Sequence, residues 1–246
     1  MSFLDLSYDH FLKTRASLPW WPWVGSRYTS SPTKTMVLGE SIYKWRDTDE
    51  KIFQARYART TGLRETHKNH ALNFGRDSPY VRNVERAIFS AATPTDEQKQ
   101  ALWTSVVYHN LVLSPLRSIE ERPSHLQFVV GWSEVLDLCG LLRVEQLLIY
   151  GVGSRGGLRE AARNKGYVCH IKKGPRVGQC GARLGLIDTG SAQIKLLFIR
   201  HPSEYFSWKR WGQVIRANLT IQFPDEGGGV ADDNGSRVHT THRLPE

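Results

Sequence analysis

The chain has few cysteines, and none is placed as a metal or iron–sulfur ligand set requires. Its 246 residues include only Cys139, Cys169 and Cys180, which are widely spaced and form no CxxC pair. Zinc and iron–sulfur centres need about four Cys or His ligands, most of them in close pairs. We therefore expect inert thiols in a reducing compartment, no bound metal and no other cofactor.

Long apolar runs are also missing. No stretch approaches the roughly 18–20 apolar residues of a membrane span. The N-terminus, MSFLDLSYDH, is acidic and amphipathic and does not resemble a secretion signal. These absences favour an intracellular, cytoplasmic protein with no membrane partner.

Acidic residues are scarce relative to basic ones. The chain has 33 Lys and Arg against 24 Asp and Glu, a net charge of +9 and a pI near 9.6. From Pro224 onward two arginines stand against five acids, so the remainder carries about +12. Such a basic body favours a polyanionic partner, and nucleic acid is the most common one.

The composition divides the chain into two parts. Residues 1–223 alternate short apolar runs with helical patterns and have the length of one α/β domain. Residues 224–246 are rich in Gly and Asp, and we expect a flexible acidic tail.

Four short apolar runs read as strands buried on both faces of a parallel sheet. They are Thr35–Gly39, Ser105–His109, Glu145–Tyr150 and Lys195–Ile199. Helical patterns lie between them, with a proline start at Pro79 and capping boxes at Thr95 and Ser124. This alternation predicts a three-layer α/β/α sandwich around a four-stranded, mainly parallel sheet.

The segment Gly151-Val-Gly-Ser-Arg-Gly156 follows a strand and matches the dinucleotide fingerprint GxGxxG. A true fingerprint expects an acid about 20 residues later for the ribose. Here that region is basic, from His170 to Arg176, which could suit a 2′-phosphate. The alternative is a glycine turn that binds a backbone phosphate with its amides and the Ser154 hydroxyl.

Polar groups follow the other strands. The first is followed by Gly39-Glu-Ser-Ile-Tyr43, the second by Asn110 and the last by His201-Pro-Ser203. Each has an ordinary structural explanation as a turn or a satisfied polar residue. Because the carboxyl ends of parallel strands meet at one edge of a sheet, we expect these groups to converge.

This ordered set of strand-tip motifs resembles the uracil-DNA glycosylase superfamily, over roughly Met36 to Leu219. The resemblance implies a monofunctional DNA-repair enzyme that flips uracil out of single- or double-stranded DNA and hydrolyses its glycosidic bond. It implies a DNA-associated monomer, found at the nucleoid, that uses no metal. The physical logic agrees, because a base inside a duplex must be extruded before its glycosidic bond can be reached.

The resemblance also implies a role for each residue. His201 would hydrogen-bond the departing base, Tyr43 would exclude the methyl group of thymine, and Asn110 would read the base edge. Phe74 would stack on the flipped base. DNA contacts would come from Ser154, Arg155, Ser203 and Lys209, with Tyr205 or Phe206 as the wedge that fills the vacated stack.

The first motif departs from the family. The best-known class has an Asp at the third position to orient water, and here that residue is Ser41. Glu40, one place earlier, supplies a carboxylate, as in the class with an iron–sulfur cluster, whose cysteines are missing here. Glu40 or backbone groups would then position the water, so Glu40 and Ser41 are the catalytic candidates beside His201. A protein that binds uracil or abasic DNA without hydrolysis is the alternative.

Overall fold

The order of helices and strands alternates along most of the chain. The structure is a computed structural model that describes residues 2–44, 48–74, 77–203 and 205–224. Within these ranges the strands are β1 Trp23–Val24, β2 Thr35–Gly39, β3 Val107–Asn110, β4 Gln146–Tyr150, β5 Val168–Val177, β6 Cys180–Asp188 and β7 Gln193–Ile199. The helices are α1 Asp9–Leu12, α2 Glu50–Tyr57, α3 Gly62–Ala71, α4 Pro79–Phe89, α5 Asp96–Ser105, α6 His125–Leu142, α7 Arg155–Asn164 and α8 Trp208–Asn218.

The strands form one mixed sheet in the order β1-β3-β2-β4-β7-β6-β5. Its centre, β3-β2-β4-β7, is parallel, and β1, β6 and β5 add antiparallel pairs at the two sides. The four strands predicted from the sequence are these central four, so the α/β class is confirmed. The carboxyl ends of four strands therefore share one edge.

The prediction of a four-stranded sheet is wrong, because the described residues form seven strands. The main omission is the β5–β6 hairpin. Strand β5 lies at the edge and exposes most of its residues, including Lys172, Lys173 and Arg176. Such a strand buries little apolar surface and shows no apolar run, so the search for buried strands passes over it.

The helix starts follow local chemistry that the sequence predicts. Proline occupies the first turn of α4, which begins at Pro79. The side chains of Thr95 and Ser124 each accept a hydrogen bond from the backbone three residues later, and Gln98 and Gln127 complete the two capping boxes. These predicted starts are confirmed.

Helices cover both faces of the sheet. Alternate residues of one strand enter different apolar clusters: Val37 contacts the cluster of α2, α3, α4, α5 and α8, whereas Met36 and Leu38 contact that of α1, α6 and α7. The period of two along a strand directs its side chains to opposite faces. Within the ranges above, no helix is both long and apolar enough to cross a membrane. Of the predicted tail, all but Pro224 lies outside the described residues.

Candidate active site

The segments that follow β2 and β3 run side by side beyond the sheet. Backbone amides of Leu111 and Val112 donate to the carbonyls of Gly39 and Glu40, both at 2.9 Å. Further along, Leu116 N donates to Ile42 O at 2.8 Å. This ladder continues the parallel pairing of the two strands and fixes the backbone on both sides of Glu40 and Ser41.

Glu40 lies where the ends of β2 and β4 meet. Its Oε1 accepts a hydrogen bond from the Tyr43 hydroxyl at 3.3 Å. A Cβ placed on Gly151 would lie 2.8 Å from Glu40 Oε2, and Gly151 has φ +82°, so glycine is required there on both counts. Burial raises the pKa of the Glu40 carboxyl, while the Tyr43 hydrogen bond and the positive charge of Arg122 oppose the rise.

Asn110 ends β3 on the opposite side of β2 and is only 3% exposed. Its Oδ1 accepts a hydrogen bond from the Tyr108 hydroxyl at 3.0 Å, and the Tyr108 ring stacks on His67 with centroids 4.1 Å apart. Any side chain at Gly39 would overlap Asn110 Oδ1. The amide is thus held by a rigid aromatic support, with its Nδ2 donors and one Oδ1 lone pair left for other partners.

His201 follows β7 and is half-buried. Its Nδ1 lies 3.0 Å from Ser203 Oγ, and its ring meets the Tyr150 ring edge-on at 6.0 Å between centroids. Burial and, to a smaller extent, the charge of Arg122 lower the pKa of His201 to about 4. The imidazole is therefore neutral near pH 7.

The loop around His201 is held by α4. Asn83 Nδ2 donates to the carbonyls of Pro202 at 2.8 Å and Ser203 at 3.2 Å. Asn83 is nearly buried, so this bond between a helix and a loop is protected from water. It makes Asn83 a positioning residue for the imidazole.

Three of the predicted residues come together around one arginine. The positive charge of Arg122, in the segment between β3 and α6, acts on Glu40, Tyr43 and His201. It adds to the lowering of the His201 pKa by burial and partly opposes the rise that burial causes in the pKa values of Glu40 and Tyr43. Backbone contacts agree, since Gly151 N donates to Ile199 O at 2.9 Å, two residues before His201. The ends of β2, β4 and β7 therefore form one polar site under the field of Arg122.

The hydroxyl groups of two predicted serines are enclosed. Ser154 Oγ makes no hydrogen bond with the described residues, whereas Ser41 Oγ interacts with the Tyr43 hydroxyl and works to lower its pKa. Ser154 is 2% exposed, and its carbonyl accepts from Trp132 Nε1 at 3.1 Å. Its hydroxyl does not reach the surface at which a phosphate would bind, whereas the following Arg155 does in part.

The predicted wedge residues differ in exposure. Tyr205 is 86% exposed, has φ +52°, and lies under the Arg200 guanidinium at 5.7 Å. Phe206 instead packs into the apolar cluster and stacks on Trp211 with centroids 6.0 Å apart. Of the two, only Tyr205 is free to enter a base stack. Lys209 and Ser203 are exposed close by.

Phe74 lies in a different cleft. It lines a cavity of about 210 Å³ with His70, Ser78, Arg82, Arg86 and Lys99, and Lys99 Nζ lies 5.5 Å from its ring centroid. Glu40, Asn110 and His201 do not line that cavity. The structure thus does not bring Phe74 together with the strand-tip residues.

Three residues of the site escape sequence reasoning. Tyr150 ends β4 with a buried hydroxyl that has no hydrogen-bond partner among the described residues. Tyr150 could have been found as the last residue of a predicted strand, facing the crevice. Arg122 and Asn83 carry no such signal, because each reaches the site from another part of the chain.

No described group of three or more His, Cys, Asp or Glu side chains is arranged to hold a metal ion. The site presents a half-buried carboxylate, a neutral imidazole and a buried amide, with the charge of the Arg122 guanidinium nearby. No protein-family model matches the chain, and a search of curated proteins found no match either.

Proposed function

We propose that the chain is a uracil-DNA glycosylase, with a three-layer fold of that type, that flips uracil out of DNA and leaves an abasic site. The observation that carries the proposal is the meeting of Glu40, Tyr43 and His201 under the charge of Arg122 at one sheet edge. Asn110 ends the adjoining strand of the same edge.

Hydrolysis breaks the bond between C1′ of the sugar and N1 of the base. Both electrons leave with the base, so the sugar becomes positive and uracil becomes an anion. A water oxygen then bonds to C1′, and the proton that the water loses passes to a general base on the protein. Glu40 is the carboxylate that we assign to this role, and its Oε2 lies against Gly151, which has no side chain to displace it.

His201 serves the departing base. With Nδ1 accepting from the Ser203 hydroxyl, the neutral ring carries its proton on Nε2, and this N–H donates a hydrogen bond to an oxygen of the departing uracil. Such a donor stabilises charge that develops only in the transition state, and one donor is typically worth about 2.7–4 kcal/mol. The positive charge of Arg122 acts in the same direction.

Asn110 and Tyr43 select which base is accepted. The Asn110 amide can donate from Nδ2 to a carbonyl of uracil and accept from its ring N–H, a pattern that cytosine does not match. Tyr43 is held by Glu40 and by the backbone pairing with Leu116, so its ring can block a methyl group at C5. Exposed Tyr205 fills the gap in the stack, and Ser203, Lys209 and Arg155 contact phosphates.

A second candidate is a protein that binds uracil or abasic DNA without cleaving it. Ser41 favours this candidate, because no carboxylate stands at the position that orients water in the best-known class. A nucleotide cofactor at Gly151–Gly156 is less compatible, since the Glu40 carboxylate lies against Gly151 and would repel a pyrophosphate.

The test is release of uracil from a labelled oligonucleotide, in single-stranded and duplex form, followed by alkali to cleave abasic sites. We expect cleavage at uracil, none at thymine, and strongly reduced cleavage at uracil with His201→Ala. Retention of uracil DNA in a gel without any cleavage would select the binding protein instead. If the protein neither cleaves uracil DNA nor binds it in preference to thymine DNA, both candidate functions are refuted.

A further inference from the structure

The β5–β6 hairpin projects past the edge of the sheet that holds the candidate site. Strand β6 pairs with β7 as far as Arg183 and Phe198, and β7 ends one residue later. The β5–β6 pairing continues to Val177 and Cys180. At about 3.3 Å per residue, Cys180 lies roughly 10 Å beyond Arg183, past the carboxyl end of β7, after which His201 follows in the chain.

Two arginines of the hairpin meet over a glycine. A Cβ at Gly181 would lie 2.8 Å from Arg183 Nη1 and 3.7 Å from Arg176 Cγ, so both side chains cross the space that glycine leaves open. Arg183 Nη1 also donates to the carbonyls of Gly181 at 3.1 Å and Ala182 at 2.9 Å. These bonds hold the guanidinium in place and leave its other donors free.

Helix α7 adds two more arginines to the same side. Arg155 and Arg159 are four residues apart and thus share a helix face. Leu158 and Ala161 of this helix pack in the same apolar cluster as Cys169 of β5, which brings helix and hairpin together. Partial burial and the positive charges of Arg183 and Arg159 lower the pKa of Arg155, as expected for guanidinium groups that lie close together.

These four residues, Arg155, Arg159, Arg176 and Arg183, are called the arginine flank. Across the described part of the chain, no salt bridge joins any of them to a carboxylate. By contrast, Arg15 and Arg64, elsewhere on the molecule, each pair with an aspartate. Gathering like charges without a counter-ion is unfavourable, so an anion supplied by a partner would relieve the repulsion.

We propose that the arginine flank binds the phosphate backbone of DNA next to the candidate site. One guanidinium group can bind two phosphate oxygens at once, and several of them gathered on one surface fit a repeating phosphate backbone better than a single small anion. The inference rests on the proposed function for the choice of DNA. It adds Arg159, Arg176 and Arg183, and with them the hairpin, to the contacts assigned there.

The test measures the affinity of the full chain for a fluorescent duplex without uracil, at a series of salt concentrations. Arg159→Gln and Arg176→Gln change two exposed side chains. Lys195→Gln removes the same charge from an exposed residue near the amino end of β7, at the opposite edge, and is the matched control. Thermal unfolding of each variant checks that it is folded.

We expect each arginine variant to bind several-fold more weakly at low salt and to reduce the slope of log K against log salt by about one. The control should keep the wild-type slope. Unchanged salt slopes for the arginine variants would overturn the proposal. An equal loss of DNA affinity and of slope in Lys195→Gln would overturn it as well. Loss of binding to phosphatidylserine vesicles without loss of DNA binding would assign the flank to a lipid surface instead.

The duplex contains no uracil, so the outcome is independent of catalysis. Altered slopes in a protein that releases no uracil would support the flank and refute the activity. Uracil release with unchanged salt slopes would support the activity and refute DNA binding by the arginine flank.

Discussion

At one edge of the sheet, the ends of the parallel strands hold polar groups that are buried or half-buried, whereas the neighbouring arginine flank, on α7 and the β5–β6 hairpin, includes arginines that face solvent. Asn110 and Tyr150 are 3% and 2% exposed, while Arg159 and Arg176 are exposed. Enclosed groups act at short range in a low dielectric, where their geometry and protonation decide the effect. Exposed charges act through a screened field. The effects of substitutions in the two regions on activity and DNA binding should therefore differ in size and in their dependence on salt concentration.

The largest expected effect is that of Glu40→Gln. Removing the carboxylate that activates water should lower kcat/KM about 10²–10⁴-fold, at low and high salt alike. Wild-type activity should rise with pH as Glu40 ionises, with a midpoint above that of an ordinary glutamate because burial raises its pKa. The pH profile of uracil release measures this. Glu97→Gln, on the exposed start of α5, is the matched control.

The pH dependence of stability gives an independent measure of the raised pKa of Glu40. Because the pKa of Glu40 is raised in the folded state, the wild type loses stability as pH rises from the unfolded pKa through the folded one. Glu40→Gln lacks this loss. Its advantage in unfolding temperature should be larger at pH 8 than at pH 4, and an equal difference at both would contradict the raised pKa.

His201→Ala should lower activity somewhat less than Glu40→Gln does. Loss of one donor to the departing base typically lowers kcat about 10²–10³-fold. Since the pKa of His201 is about 4, the ring is already neutral at pH 6, and its titration should not shape the profile above that point. Ser203→Ala, which removes the partner of Nδ1 and one proposed phosphate contact but keeps the imidazole, is the comparison. Equal losses in both variants would place the effect in the loop and not in the imidazole.

Tyr43→Ala should change which base is accepted more than how fast uracil is released. A pocket that rejects one methyl group discriminates by roughly 10–200-fold, and this ratio of uracil to thymine should fall toward one. Release from matched uracil and thymine oligonucleotides gives the ratio. Tyr205→Ala should leave it unchanged while weakening DNA binding. Unaltered discrimination in Tyr43→Ala would show that Tyr43 does not line the pocket.

The smallest effect separates two buried tyrosines. Tyr150 has a hydroxyl without a hydrogen-bond partner in the described residues, so Tyr150→Phe should preserve the free energy of unfolding or raise it by about 1 kcal/mol. Tyr108 donates to Asn110, so Tyr108→Phe should lower it by about 0.5–1.5 kcal/mol. Denaturant unfolding measures both. A loss of stability in Tyr150→Phe would mean that its hydroxyl is bonded after all.

The two regions also differ in how far the sequence predicts them. The central strands are visible because both of their faces are buried, and the starts of α4, α5 and α6 because proline and capping residues act locally. The hairpin is not, since its outer strand β5 lies at an edge, is largely exposed and contains no run of apolar residues. Within the site, strand ends give Glu40, Asn110 and His201, but the positions of Arg122 and Asn83 depend on how distant segments pack.

The sequence by itself determines the α/β class, the four parallel strands, and a polar group at the end of each. These follow from hydrophobic periodicity and local backbone chemistry, which act over a few residues. Only the tertiary structure decides that Ser154 is buried, that Phe74 faces another cleft, that Tyr205 is exposed, and that four arginines meet beside the site. The physical reason is that burial and electrostatic proximity depend on contacts between segments far apart in the chain.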